Sequence, residues 1–234
     1  MRLAFLFTCN LVWAQNALER PQIGVMIDAS GTARGVYGVS ASVTLGDAML
    51  SGVLSSACSD SWCIFKTADA VVVNGQPVPA PAGPAIFAID GANAAIYFPG
   101  AKQLAIWQNG QLTPVETKID GQVVGLRSDA GVVQFAVRRR ESTWIVDETG
   151  AIVNAIAGAT GPVMLLANGI LYADGDQVVL RRVDASELRF DAPGALSFSG
   201  LGLNYVQIRT RGSSFALRVD AGHERIFELP EPAP

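Results

Sequence analysis

The chain has 234 residues, half of them apolar and only 16% charged, which excludes a disordered or polyelectrolyte protein and leaves ample material for a core. Its formal net charge of −4 gives no reason to expect nucleic-acid binding, which needs a broad basic face. The 24 glycines and 12 prolines interrupt the chain every few residues, as is typical of many short strands joined by tight turns.

The first 14 residues have the layout of a secretory signal peptide. Arg2 precedes the apolar run "LAFLFTCNLVW", and Val12-Trp13-Ala14 resembles a small-x-small cleavage site. The alternatives are a buried first strand and a mispredicted start codon. The run is shorter than the roughly 20 residues that span a bilayer, and later apolar runs are interrupted, so we expect no transmembrane segment.

Export to the periplasm or the medium is therefore the expected localisation. We predict that residues 15–229 form a single domain and that the proline-rich residues 230–234 form a flexible tail.

Cys58 and Cys63 flank four residues, Ser59-Asp60-Ser61-Trp62, that favour a turn. A four-residue hairpin loop places its flanking residues opposite each other, at a separation that a disulfide accepts. The third cysteine, Cys9, lies within the predicted signal peptide. Two free thiols are the main alternative, since zinc lacks further ligands and a redox CxxC motif has two intervening residues. We predict a disulfide-stapled hairpin, which fits an oxidising compartment.

A strand–turn–strand pattern recurs along the chain, at 70–78, 104–115, 143–153, 178–190 and 215–229. The equivalent positions Val72, Ile106, Ile145, Val179 and Leu217 are separated by 34, 39, 34 and 38 residues. Further strand pairs precede these segments, so the repeating unit has four short antiparallel strands.

Five complete units fit the sequence, at about 48–83, 84–121, 122–161, 162–200 and 201–234. Residues 22–47 add a strand pair that looks like the outer half of another unit. That pair either joins a terminal unit or forms a sixth, incomplete one.

Four-stranded units of this length resemble the blades of a β-propeller. The resemblance is to β-propeller repeat proteins in general, in the style of uncharacterised exported bacterial propeller-like proteins. It covers nearly all of the predicted mature chain and implies an all-β, closed ring of about five to six blades. No WD dipeptide, kelch double glycine or YWTD box is present, so it implies no subfamily and no functional residues. The alternative all-β fold is a β-sandwich or a pair of small barrels.

The sequence offers no recognisable catalytic set. His223 is the single histidine, and it lies in a turn of the last unit. There is no G-x-S-x-G nucleophile elbow and no phosphate-binding glycine loop. Asp174-Gly175-Asp176 is too short for a calcium loop and fits a hairpin turn. We predict no catalytic residue, metal or cofactor, while carboxylates from separate blades that converge on a central channel would escape this search.

Basic residues recur in the predicted turns between the second and third strands of the units. In a propeller these turns share one face with the connections between blades. A predicted basic rim suited to an anionic partner comprises Lys66, Lys102, Arg138, Arg139, Arg140, Arg209 and Arg211. The alternative is that these charges only keep strand ends soluble and unpaired.

Three functions fit these observations. The leading hypothesis is an exported, non-catalytic binding or scaffolding module whose loop face takes a protein, a glycan or another anionic ligand. A hydrolase or lyase acting on a sugar or lactone in the central channel would need inward carboxylates within reach of a metal. A structural envelope component would form a stable complex with its neighbours without a ligand pocket.

Overall fold

A computed structural model describes residues 21–39, 42–140, 142–157, 159 and 161–231, and all regular secondary structure among them is β-strand. No described segment forms a helix of the length and apolarity needed to cross a membrane. The predicted signal peptide and the last three residues of the predicted tail lie outside the described residues.

Six antiparallel sheets are formed, and within each sheet the strands pair in sequence order. The first sheet has three described strands: β1 (Gln22–Ile27), β2 (Ala33–Val39) and β3 (Ser42–Leu50). The second has β4 (Ser55–Cys58), β5 (Cys63–Lys66), β6 (Ala70–Val73) and β7 (Gln76–Pro79). The third has β8 (Ile86–Asp90), β9 (Asn93–Phe98), β10 (Gln103–Gln108) and β11 (Gln111–Val115).

The remaining three sheets repeat the same plan. The fourth has β12 (Gln122–Asp129), β13 (Val132–Arg139), β14 (Ser142–Asp147) and β15 (Ile152–Ala157). The fifth has β16 (Val163–Leu166), β17 (Gly169–Asp174), β18 (Gln177–Arg182) and β19 (Glu187–Asp191). The sixth has β20 (Ser197–Gly202), β21 (Tyr205–Arg209), β22 (Ser214–Arg218) and β23 (Arg225–Leu229).

The sheets are arranged as the six blades of a β-propeller. The first strand of each four-stranded blade contacts the first strand of the next, from β4 through β8, β12 and β16 to β20, and β20 contacts β4 again. These five inner strands surround the axis, and the ring is closed. The predicted all-β propeller is confirmed.

Stacking of the blades explains why a strand in the middle of a blade can be almost continuously apolar. Side chains of a strand point alternately to its two faces, and each face of a blade lies against a neighbour. In β9, for example, Ala94, Ile96 and Phe98 pack toward the second blade, whereas Ala95 and Tyr97 pack toward the fourth. Six buried clusters result, one at each interface between blades.

The first blade differs from the outer strand pair predicted for residues 22–47. It has a third strand, β3, which extends to Leu50, so the second blade begins at β4 rather than near residue 48. Likewise the last blade begins at Ser197 rather than near residue 201. In the first blade, strand β1 contacts both β4 and β20 and is therefore not an outer strand.

β1 runs in the direction opposite to the five inner strands. Its start lies at the end of β20, where a side-chain carbon on Gly24 would be 1.8 Å from the carbonyl oxygen of Leu201. The loop that follows β1 lies instead beside the start of the second blade, because Val53 N donates to Gly31 O at 2.8 Å. The described part of the first blade thus corresponds in direction to the second, third and fourth strands of a normal blade. β4 and β20 meet directly in front of it.

The seam between the last and first blades is held by a buried amide. The Gln207 side chain is fully buried in β21, where it accepts a hydrogen bond from Ile27 N at 3.1 Å and donates to Ile27 O at 2.9 Å. Glu231 adds a second link, since its carboxylate accepts from Ser214 Oγ at 2.8 Å and from Ala29 N at 3.3 Å. Ring closure therefore depends on polar contacts as well as on the buried cluster at this interface.

Asp28 organises the turn after β1. Its side chain is fully buried and pairs with Arg34 at 2.9 Å. Burial alone would raise the pKa of the Asp28 carboxyl, but hydrogen bonds from Ser30, Arg34 and the backbone of Thr32 outweigh burial and lower the pKa. Asp28 is therefore a structural carboxylate of the first blade.

Candidate functional site

The ring has two different faces. One carries the turns between the second and third strands of the four-stranded blades and the connections between blades, and we call it the connection face. The other carries the remaining hairpin turns of those blades, and we call it the hairpin face. Every candidate site described below opens on one of them.

A central channel runs between the two faces and has an apolar waist. Cavities at its two ends share one residue from each inner strand: Ala57, Phe87, Leu126, Met164 and Gly200. The inner strands approach each other closely here, since a side-chain carbon on Gly200 would lie 3.6 Å from the Cys58 backbone nitrogen. The waist therefore lies between a concavity on the connection face and one on the hairpin face.

The cavity above the waist on the connection face, which we call the funnel, has a volume of about 700 Å³. It is lined by the first halves of the inner strands and by the connections that lead into them. Most of the lining is apolar, and it includes Leu54 and Leu196, which are 48% and 57% exposed. This volume lies in the range of small-molecule sites.

Arg138 is the single charged residue among the described residues that line the funnel. Its guanidinium donates to Gly161 O, while its Nε is buried without a hydrogen-bond partner in the described part of the chain. Burial lowers the pKa of Arg138, although a guanidinium stays protonated in any case. The funnel wall therefore carries one positive charge with no carboxylate beside it.

Ser56, on the inner strand β4, supplies a second unsatisfied group. The residue is buried, it lines the funnel, and its Oγ has no partner among the described residues. Its neighbour Ser55 is different, because its hydroxyl accepts a hydrogen bond from Ala85 N at 2.9 Å. Sequence reasoning missed Ser56, since nothing in "SSAC" separates a structural serine from an available one.

The seven residues of the predicted basic rim all lie on the connection face, but three of them are engaged locally. Lys66 is fully buried, and its Nζ donates to Thr67 O at 2.7 Å and to Ala68 O at 3.3 Å. Burial lowers its pKa, and the carboxylate of Asp69 opposes this effect. Lys66 therefore stabilises its own turn and does not present its charge to solvent.

Arg139 is likewise engaged, because its Nε and Nη2 donate to Asp120 O at 3.1 and 3.0 Å. Arg138 faces the funnel, as described above. The charges that the connection face presents to solvent are those of Lys102, Arg140 and Arg211, which are exposed, and of Arg209, which is half-buried. None of these four has an ion-pair or side-chain hydrogen-bond partner within the described ranges.

The fifth blade interrupts this arrangement. Its turn on the connection face is acidic, Asp174-Gly175-Asp176, and Asp174 pairs with Arg189 at 2.9 Å. The predicted rim is thus a set of separate cations on the third, fourth and sixth blades.

The hairpin face carries the disulfide. Cys58 and Cys63 are bonded and pair opposite each other at the ends of β4 and β5, as predicted. Trp62 in their loop donates from Nε1 to Gly91 O at 3.0 Å, which ties the loop to the third blade. The loop also lines the cavity of about 420 Å³ below the waist.

The described residues offer no constellation for acid–base or metal chemistry. They contain no cluster of three or more His, Cys, Asp or Glu side chains that could hold a metal. His223 lies in an exposed turn and contacts Asp220 at 3.5 Å. Among the described lining of the channel, the single carboxylate is Asp60, on the hairpin side.

Comparison with known proteins supports the fold. No protein-family model matches the chain, and no curated protein sequence matches it. A chain in the crystal structure of a nidogen/laminin complex superposes with a TM-score of 0.61 at 12% identity, covering 89% of this chain and 93% of that chain. A protein of unknown function from Bacteroides caccae gives a TM-score of 0.58 at 14% identity, with the same coverage of both chains. The chain is thus a six-bladed β-propeller.

Proposed function

We propose that the protein is an exported binding module that receives its partner on the connection face. One observation carries the proposal: an apolar funnel opens at the centre of this face and is surrounded by exposed cations without described partners. An apolar centre within a polar rim is the usual anatomy of a binding surface. A partner with an apolar contact segment and acidic flanks would fit it.

The exposed leucines strengthen the proposal. Leu54 precedes the inner strand β4, and Leu196 precedes the inner strand β20. Because these two strands contact each other, both leucines lie where the ring closes. Contiguous apolar surface that stays exposed around a concavity is typical of an interaction site.

Export is supported by the disulfide, since such bonds persist in oxidising compartments and are rare in the cytosol. The predicted signal peptide, residues 1–14, lies outside the described residues and stays a prediction. The structural neighbour from the nidogen/laminin complex belongs to a protein–protein assembly. This neighbour supports a partner-binding role for the present chain at the level of the shared fold.

The test compares two matched double variants of the sixth blade. Leu196→Asp/Arg211→Glu alters the connection face, and Leu203→Asp/Arg225→Glu alters the hairpin face by the same change in charge. The two leucines are 57% and 63% exposed, and both arginines are exposed. Each tagged protein is expressed in its own host, crosslinked mildly, purified from the envelope or medium, and identified with its companions by mass spectrometry.

We expect a reproducible companion with the wild type and the hairpin-face variant, and a loss of that companion with the connection-face variant. Equal capture by all three proteins, or no companion at all, would refute the connection face as the docking surface. Loss with the hairpin-face variant alone would move the interface to the opposite face. Thermal unfolding of each variant checks that the ring is intact.

A further inference from the structure

We infer that the funnel is a binding site for a monocarboxylate with an apolar body, whose carboxylate is bound by Arg138 and which Ser56 contacts nearer the waist. This inference deepens the proposed function and rests on it, because it names the chemistry that the connection face recognises. The sequence assigned Arg138 to an exposed rim. Because Arg138 lies in the wall of the funnel, it can bind a ligand inside the cavity.

Charge is the first argument for an anion. The described lining contains one cation and no carboxylate, so the charge of Arg138 is not compensated within the wall. Burying an ionic group without a partner is costly. A bound carboxylate would remove that cost by a charge-assisted hydrogen bond from the guanidinium.

Hydrogen bonding is the second argument. Buried polar groups nearly always have partners, yet Arg138 Nε and Ser56 Oγ are the two buried side-chain atoms in the described chain that have none. Both residues line the same cavity. Arg138 pairs with Gln122 at the mouth end of β12, whereas Ser56 precedes the waist residue Ala57, so the two groups lie at different depths.

The rest of the lining defines the body of the ligand. Phe87, Leu126 and Met164 close the lower end at the waist, and Phe198 and Leu196 contribute to the wall near the sixth blade. A single cation among such residues suits a monoanion with an apolar tail. A phosphate or sulfate, which needs several donors, fits it poorly. A volume of about 700 Å³ admits a molecule larger than acetate.

The direct test measures binding of 3-phenylpropionate by calorimetry and by saturation-transfer NMR, with 3-phenylpropanol, 3-phenylpropylamine, acetate and inorganic phosphate as matched probes. We expect the carboxylate to bind at least tenfold more tightly than the alcohol and than acetate, and the amine and phosphate not to bind. Equal binding of carboxylate and alcohol, or of phenylpropionate and acetate, would overturn the inference.

Variants then locate the site. Arg138→Gln should weaken phenylpropionate binding at least tenfold, and Ser56→Ala should weaken it several-fold. Arg225→Gln, which removes an exposed charge from the hairpin face, should leave binding unchanged. Equal losses with Arg138→Gln and Arg225→Gln would mean non-specific attraction and would overturn the assignment. If Arg138→Gln does not fold, Arg138→Lys keeps the charge without Nε–H and should still bind more weakly than the wild type.

The two proposals fail separately. Face-specific capture of a partner together with absent carboxylate binding would refute the inference alone. Carboxylate binding that depends on Arg138, without face-specific capture, would refute the docking surface alone.

Discussion

The seam between the last and first blades predicts a large effect from one uncharged substitution, Gln207→Leu. The amide of Gln207 is the hydrogen-bond partner of both the N–H and the C=O of Ile27, and all these groups are buried. Leucine has a similar size and keeps the apolar contacts of the interface. The substitution therefore removes the two hydrogen bonds to Ile27, together with longer ones to Ser199 Oγ at 3.4 Å and Ser214 Oγ at 3.5 Å.

Each backbone group left buried without a partner costs about 1–3 kcal/mol. Losing both partners of Ile27 should therefore lower the free energy of unfolding by about 3 kcal/mol or more. In a domain of this size, each kcal/mol lowers Tm by about 2–4 °C, so we expect a fall of about 6–12 °C. Calorimetry and urea unfolding, both at pH 7, measure the two quantities.

Two further variants test the mechanism. Gln111→Leu, on the exposed outer strand β11, is the matched control and should change stability by less than about 0.5 kcal/mol. Gln207→Glu can accept from Ile27 N–H but, when ionised, cannot donate to Ile27 O. Burial raises the pKa of such a carboxyl, so the variant should gain stability relative to wild type as the pH is lowered from 7 to 5. If Gln207→Leu and Gln111→Leu unfold alike, the amide does not hold the seam.

Three other predictions concern single contacts. Replacing Cys58 and Cys63 together by Ala should lower the free energy of unfolding by about 2 kcal/mol in denaturant titrations, the value expected for so short a loop, and an unchanged midpoint would contradict this. Gly24→Ala should reduce the yield of folded protein sharply, because the Cβ of the alanine would lie 1.8 Å from Leu201 O at a φ of +156°. A normal yield and a normal Tm would show that the two blades can separate there at little cost. Because the pKa of Asp28 is lowered, its carboxylate stabilises the fold above about pH 4, and this contribution is lost as the pH falls through the lowered pKa. The difference in free energy of unfolding between wild type and Asp28→Asn should therefore shrink below about pH 4. A difference that stays constant down to about pH 2.5 would contradict this prediction.

The repeats and their turns were predictable because each hairpin has local chemistry that specifies it. Asn74-Gly75 and Asn109-Gly110 sit at the predicted hairpins, with positive φ at all four residues. The disulfide followed from the same local logic. The ring followed from the period of the pattern, since every blade needs a neighbour on each face.

The first blade was misassigned because two different hairpins have the same local chemistry. Asp28-Ala29-Ser30-Gly31 after β1 matches Asp147-Glu148-Thr149-Gly150 in the fourth blade, and in both the aspartate accepts from the residue two positions later. One turn lies on the connection face and the other on the hairpin face. What separates them is the long-range contact of β1 with β20, which no local pattern contains.

Lys66 and Gln207 show the same limit for single residues. Lys66 precedes a turn just as Lys102 occupies one, yet its ammonium is taken by two carbonyls of its own turn. Gln207 lies in "YVQIR", where the alternation of apolar and polar residues predicts that the Gln207 side chain faces solvent. In the structure this face of β21 packs against the first blade at the seam, so the side chain is buried. Burial of a polar side chain depends on what lies across the interface, and the sequence of one strand does not record it.

The seam lies next to the funnel, because β1 contacts β4 and β20, which both line this cavity. Leu54 to Ala57 and Leu196 to Gly200 line the funnel on the two sides of the contact between β4 and β20. This contact lies in front of the first blade, which has no described inner strand. Loosening the contact between β1 and β21 should therefore widen the funnel as well as destabilise the ring. We expect Gln207→Leu to weaken phenylpropionate binding several-fold at temperatures well below its Tm. Removal of the disulfide, which lies beyond the waist on the hairpin face, should cost similar stability without this loss. Equal affinity in both variants would show that ring closure and ligand binding are independent.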